Sequence, residues 1–210
     1  MSLRPNLFDF ATSELSQDAF ICWLVSWVNH SEHRKLQECA KSFVALLWNA
    51  SPDMEPIAPD AVGDLVSEVW RQKEKTDIWF RVRIDGRITS FVIEDKTGTS
   101  HHDDQLARYK KTVETQYKDD IGVFIYLKSG YVFWDEREFA ESSGYGVIDA
   151  KSLCSFLSRW EVDSDIFSDY RNRLSTLLAE RESTRQKLKI GDFSAFEHDF
   201  VQYEYLIEIR

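Results

Sequence analysis

The sequence predicts an α/β fold, a mixed central β-sheet flanked by helices, on three observations. Two β-like segments, residues 77–84 and 88–96, are joined by Asp85-Gly86, a dipeptide that accepts the positive φ angles of a two-residue hairpin turn. Residues 121–127 form a continuous apolar run with β-branched and aromatic members, the pattern of a strand buried on both faces and often parallel to its neighbour. On either side of these lie segments whose apolar residues recur at helical spacing.

Taken in order, residues 5–11 read as an irregular lead-in. Thr12 and Ser13 are N-cap candidates for a helix carrying Leu15, Ala19, Phe20, Trp23, Leu24 and Trp27, which puts Glu14 in its first turn. A carboxylate there is favoured by the helix dipole alone, so Glu14 has a structural reading beside any chemical one. A second helix over 32–48 buries Leu36, Ala40, Phe43 and Leu47, and Ser51-Pro52 closes it. A loop over 53–63 leads to a first strand at 66–72, then to the two hairpin strands. Beyond Thr97-Gly98-Thr99, Ser100 and Asp103 have the spacing of a capping box for a helix that buries Leu106, Tyr109, Val113 and Tyr117. After the apolar strand come shorter strands at 131–134 and 145–148, then helices over 152–160, 166–181 and 193–210.

A chain of 210 residues that is 43% hydrophobic can bury one sizeable core, and a single domain is expected: a core over 1–160 with a helical extension over 161–210 packed on it. Three widely spaced cysteines, Cys22, Cys39 and Cys154, sit in apolar helical patterns; they suggest neither a disulfide framework nor a zinc site, but buried thiols in a reducing, cytoplasmic setting. The longest apolar run, 19–28, is about half of the roughly 20 residues a membrane span needs, and no signal peptide is evident. A formal charge of −10 and a pI near 5.0 argue against nucleic-acid binding by bulk electrostatics. A metal site is itself rich in acids, however, and Arg81, Arg83, Arg108, Lys110 and Lys111 lie in or near the central stretch.

That central stretch carries the chemistry. With Asp85 and Gly86 as the loop, Ile84 pairs with Arg87, and the register runs back to set Asp77 opposite Glu94. Lys96 shares their face through the two-residue period. A four-residue loop would set Asp77 against Lys96 and keep all three on one face; only a three-residue loop or a bulge would separate them. On the other face Ile78, Phe80 and Val82 meet Ile93, Phe91 and Thr89, a core surface. Two acids and a lysine at the end of such a hairpin make a cation site with a built-in positive charge, whereas a purely structural salt bridge of Lys96 is the competing reading. His101 and His102 are adjacent and diverge on a helix, so they are not read as a ligand pair, although His102 is in reach of a phosphate.

These elements and residues resemble the PD-(D/E)XK nuclease superfamily, whose core runs α-β-β-β-α-β. The closest likeness is to uncharacterised bacterial members whose third motif reads Glu-Asp-Lys, here Glu94-Asp95-Lys96, followed by a His, then Gln105-Leu106 and Tyr109. The resemblance covers roughly residues 10–160, and Thr76 stands where many members carry proline before the first acid. It implies a restriction-endonuclease-like fold and a Mg²⁺- or Mn²⁺-dependent nuclease acting on DNA, in restriction, defence or repair. Asp77 and Glu94 would be the metal-binding acids, with Glu14 as a further metal contact and Lys96 as the signature lysine. Gln105 would be the helix-borne glutamine, and Tyr109, His102, Arg81 and Arg108 substrate contacts. A homodimer would suit cleavage of both strands, and the final helix offers a face for a protein partner. The rival readings are a nuclease-fold module that binds nucleic acid or protein without cutting, and an α/β protein with a structural salt-bridge cluster.

Overall fold

Asp85 and Gly86 adopt φ angles of 45° and 80°, the left-handed pair that a type I′ turn demands, and the hairpin forms in the expected register. The computed structural model describes residues 5–11, 13–52, 54–73, 76–97 and 105–191. The hairpin strands are β3 (Ile78–Ile84) and β4 (Arg87–Lys96), preceded by β1 (Val62–Leu65) and the short β2 (Trp70–Arg71) and followed by β5 (Ile121–Lys128) and β6 (Gly146–Asp149). The sheet runs β1-β3-β4-β5-β6, with β2 also paired to β3. The pairs made by β3 are antiparallel, whereas β4, β5 and β6 run parallel. A mixed sheet of the predicted kind results, and the parallel strands end along one edge.

Helices cover both faces. Ile78, Phe80, Val82, Phe91, Ile93, Val123, Ile125 and Leu127 point into the main core, where they meet α1 (Glu14–Ser26), α2 (Arg34–Ala50), α5 (Ala150–Ser158) and α6 (Asp165–Lys189). On the opposite face Trp79 and Val92 pack with Tyr109 and Val113 of α3 (Gln105–Gln116). Tyr126 packs there with Leu106 and with Ala140 of α4 (Trp134–Ser142). Burying a side chain of this size contributes roughly 1.5–3 kcal/mol, so both layers hold the sheet. Phe167, Tyr170 and Leu174 seat α6 in the main core, with Phe20 of α1 stacked on Tyr170 at 3.8 Å between ring centroids. Among the described residues no helix is long and apolar enough to cross a membrane.

Four local expectations change. The strand expected over 66–72 is split: β1 lies earlier, and the chain bends after it, with Ser67 Oγ accepting from Arg81 N, before β2 resumes at Trp70. Residues 131–134 form no strand; Trp134 instead opens α4, whose first turn carries Asp135 and Glu136, with Glu136 accepting from Phe133 N. The helix expected over 166–181 continues to Lys189. In α1 the buried stripe is Gln17, Asp18, Phe20, Ile21, Leu24 and Val25, so two polar residues take the place expected of Leu15 and Ala19. The helix over 193–210 and the cap at Ser100 and Asp103 lie outside the described residues.

Candidate active site

Asp77 immediately precedes β3, and the register from Ile78–Ile93 to Ile84–Arg87 continues back to set it beside Glu94. Its Oδ2 accepts from the backbone N–H of Asp95 at 2.9 Å, which pins the carboxylate to the neighbouring strand. Lys96 Nζ lies 2.5 Å from Glu94 Oε1 and 3.8 Å from Asp77 Oδ2. Glu14, the first residue of α1, reaches the same strand end, where its Oε1 accepts from Thr97 N at 3.2 Å. Residues far apart in sequence thus converge at the carboxyl end of β4.

The cluster is deep and short of positive charge. Glu94 is 0% exposed and Lys96 7%. Burial, then the negative charge of Asp77, pushes the Glu94 carboxyl up to about 7, although Lys96 pulls against both. Burial also raises Asp77, against the pull of the Asp95 N–H and Lys96. Burial works against the Lys96 ammonium, yet contact with Glu94 and the charges of Glu94, Asp77 and Glu14 hold it above its ordinary value. Three carboxylates face one ammonium, a net negative charge that favours uptake of a proton or another cation.

Sequence reasoning passed over a second buried group on the other face of β4. Asp95, between Glu94 and Lys96, accepts from Gln17 Nε2 through Oδ1, and Gln17 Oε1 accepts from Tyr170 Oη at 2.9 Å. Burial pushes Asp18 up to about 6 against its contact with Asp95, and burial followed by the Asp18 charge raises Asp95 well above the carboxylate range. Among the described residues neither Asp18 Oδ1 nor Asp95 Oδ2 has any other hydrogen-bond partner, as expected of two acids sharing one proton. The signal was present: Gln17 occupies the helical stripe of Ile21 and Leu24, where an apolar residue would otherwise stand. Two further neighbours, Tyr126 and Lys128, are the β5 partners of Glu94 and Lys96. Lys128 is held by Glu136 at 2.8 and 2.9 Å, and the Tyr126 hydroxyl is buried without a hydrogen-bond partner among the described residues.

The other predicted residues divide. Gln105 opens α3, and its side chain, with His101 and His102, lies outside the described residues. Tyr109 is 0% exposed against Trp79 and Val92, on the face of the sheet that carries Asp77 and Glu94. Arg81 is four residues along β3 from Asp77, about 13 Å at strand rise, and is bound to Asp120 at 2.7 and 2.8 Å. It is therefore not brought to the site. Arg108 is exposed on α3 beside the Tyr109 ring.

With this geometry in place, comparison with protein families matches residues 5–189 to the PD-(D/E)XK nuclease superfamily. The chain belongs to the PD-(D/E)XK nuclease superfamily. The match runs through α6, past residue 160 where the motif resemblance stops. No curated protein and no solved structure matches. Members of this superfamily generally use divalent metal ions, and the donor set can be tested against that. Among the described residues no three His, Cys, Asp or Glu side chains are grouped to hold an ion by themselves. Mg²⁺, however, keeps several waters and is commonly bound by one or two carboxylates with substrate phosphate. Asp77 and Glu94 are hard oxygen donors, and Glu94 Oε2 is buried with no hydrogen-bond donor among the described residues. The residues fit such an ion.

Proposed function

We propose that this chain is a metal-dependent endonuclease that hydrolyses DNA phosphodiester bonds with Mg²⁺ or Mn²⁺, in restriction, defence or repair. The observation that carries the reading is the meeting of Asp77, Glu94 and Lys96 at one strand end, where the buried Glu94 carboxyl and that of Asp77 crowd each other beside a single ammonium. Asp77 and Glu94 would hold the ion, and Glu14 would contact it through water. When bound, a divalent ion supplies Lewis-acid polarisation of a phosphoryl oxygen and a bound water of lowered pKa. Lys96 is the only cation in the described cluster, and its ammonium would neutralise charge that develops on the phosphoryl oxygens. Glu14 also fixes the chain just after Lys96 through Thr97 N, which keeps the lysine aimed along the strand end. Gln105, at the start of α3, would orient Lys96 or a phosphate, with His102 and Arg108 reaching the backbone of the substrate.

A purely structural salt bridge accounts for the 2.5 Å Lys96–Glu94 contact. It does not account for Asp77 crowding the same buried acid, an arrangement that costs stability unless a cation offsets it. The test is calorimetric titration of Mg²⁺ and Mn²⁺ into the wild-type chain and Asp77→Ala, with cleavage of plasmid and single-stranded DNA followed on the same samples. Saturable binding lost in the variant, together with metal-dependent cleavage, is expected. Full cleavage by Asp77→Ala or Lys96→Ala would overturn the assignment, and metal-independent DNA binding without cleavage would select the non-cutting module.

A further inference from the structure

The three parallel strands β4, β5 and β6 deliver their carboxyl ends to one edge of the sheet, where open α/β sheets bind ligands. α6 crosses that edge. Between the helix and the strand ends lie two recesses. The first is lined by Thr97 and Ser129, which follow β4 and β5, and by Arg173. The second, with a cavity of about 120 Å³, is lined by Gly130 and Tyr131, by the β6–α5 junction, and by Arg181 and Arg185. They adjoin, since Ser129 and Leu177 line one while Gly130 and Leu178 line the other.

The basic groups are placed by helical periodicity. Arg173, Arg181 and Arg185 are separated by multiples of four, so they fall on one side of α6, and they extend over about 12 Å and then about 18 Å of helix rise from the first. All three are half-buried along the groove. Arg181 is fixed by donating to Ser129 O at 2.7 Å. Arg173 has no carboxylate partner among the described residues. Asp149 and Glu182 also line the second recess, facing Arg137 at 3.4 Å and Arg185 at 3.9 Å, so a phosphate on Arg185 competes with Glu182 for it. The stripe is a local exception in a chain of formal charge −10. The groove's first recess is lined by Ser13, the residue before Glu14, and by Thr97, the residue after Lys96, so it adjoins the strand end that carries the candidate site.

We propose that this groove is the track for a single, unpaired nucleic-acid strand running from the Asp77–Glu94–Lys96 site along α6, with its phosphates on Arg173 and Arg185 and a base stacked on Tyr131. The proposal rests on the nuclease reading and narrows its substrate class. Sequence-tolerant single-strand binding combines a basic groove with aromatic platforms, and both occur here side by side. A base enters a recess such as that beside Tyr131 only from an unpaired strand, because in a duplex its faces are stacked and its edges paired.

The experiment measures fluorescence anisotropy of the full chain with a labelled thymidine oligonucleotide and with a duplex of equal length, in chelator, across a salt series. Hydrolysis of a small chromogenic phosphodiester with Mn²⁺ is read on the same proteins. Wild type should prefer the single strand. Arg173→Ala with Arg185→Ala should raise Kd roughly tenfold or more and flatten the log–log salt slope by roughly 1.4, while Lys35→Ala with Lys41→Ala on α2 changes neither. Tyr131→Leu, which keeps an apolar side chain but no stacking face, should raise Kd roughly fivefold or more. All variants should hydrolyse the small diester as wild type does, which shows that they are folded. Wild-type Kd and salt slope in the double arginine variant, or tighter binding of duplex, overturns the track and leaves the nuclease reading standing. The expected binding pattern in a wild-type chain that hydrolyses nothing upholds the track and removes the nuclease reading.

Discussion

Glu94 makes the metal-free protein a measurable proton acceptor. Its carboxyl is held near 7 in the folded chain against an ordinary value of 4.5. The native state therefore binds more protons than the unfolded state over that window, and stability falls as pH rises through it. A displacement of this size corresponds to about 3 kcal/mol, present in full below pH 4.5 and lost above pH 7. Asp18, raised to about 6 mainly by burial, adds a slope of the same sign, so the wild-type curve alone does not isolate Glu94. The perturbation is Glu94→Gln, read by urea unfolding in chelator between pH 5 and pH 8. The variant should lose less stability across that range than wild type by about 2.5 kcal/mol, because part of the effect falls below pH 5, seen in heating as a difference of roughly 5–10 °C in the change of Tm. Mg²⁺ should stabilise wild type more at pH 8 than at pH 5, because protons compete for the same oxygens, and should leave Glu94→Gln nearly unmoved. Parallel curves for the two proteins, or a wild type that gains stability over this interval, would refute the reasoning.

Other substitutions probe the scaffold. Lys96→Ala should lower cleavage by roughly a thousandfold, in the range seen when a group stabilising transition-state charge is removed, with its circular dichroism unchanged. Glu136→Ala strands the buried Lys128 ammonium and should destabilise the fold by about 3–5 kcal/mol in urea unfolding, more than the paired replacement of both residues by apolar ones of similar volume. At Gly146 a Cβ would collide with the carbonyl of Ala50, so Gly146→Ala should lower Tm although it lies far from Lys96. Cutting the chain after residue 160 removes Phe167, Tyr170 and Leu174 from the main core, and should give a product without a cooperative thermal transition.

The hairpin was legible because its two-residue turn and period-two side chains are local rules, and together they fix which face Asp77, Glu94 and Lys96 share. Helical spacing likewise located α1, α2, α3 and α5 to within a few residues. Residues 131–134 misled because Tyr, Val, Phe and Trp favour strands by composition, while the acids that start α4 follow the run and do not interrupt it. Gln17, Asp18 and Asp95 left a signal that sequence alone could not interpret. A polar residue on an apolar stripe announces only that a partner exists, and these partners come from three distant parts of the chain. Arg81 was misplaced because strand position gives the face but not the end of the sheet, and Asp120 had already claimed it. The arginine stripe on α6 is regular in sequence, but its meaning depends on which strand ends it crosses.

The Tyr170–Gln17–Asp95 chain has a consequence for when the site can exist. Gln17 is made early, Asp95 midway and Tyr170 late, and the middle acid is covalently flanked by Glu94 and Lys96. Until α6 docks, Gln17 lacks its tyrosine donor, the Asp95 side of the strand lies open to water, and the N-terminal helix bearing Glu14 has lost its stacked ring. During synthesis at about 5–20 residues per second, the hairpin emerges several seconds before the helix that secures it. A ribosome-bound chain would thus carry every acid of the candidate site for several seconds before Gln17, Asp95 and Tyr170 can join.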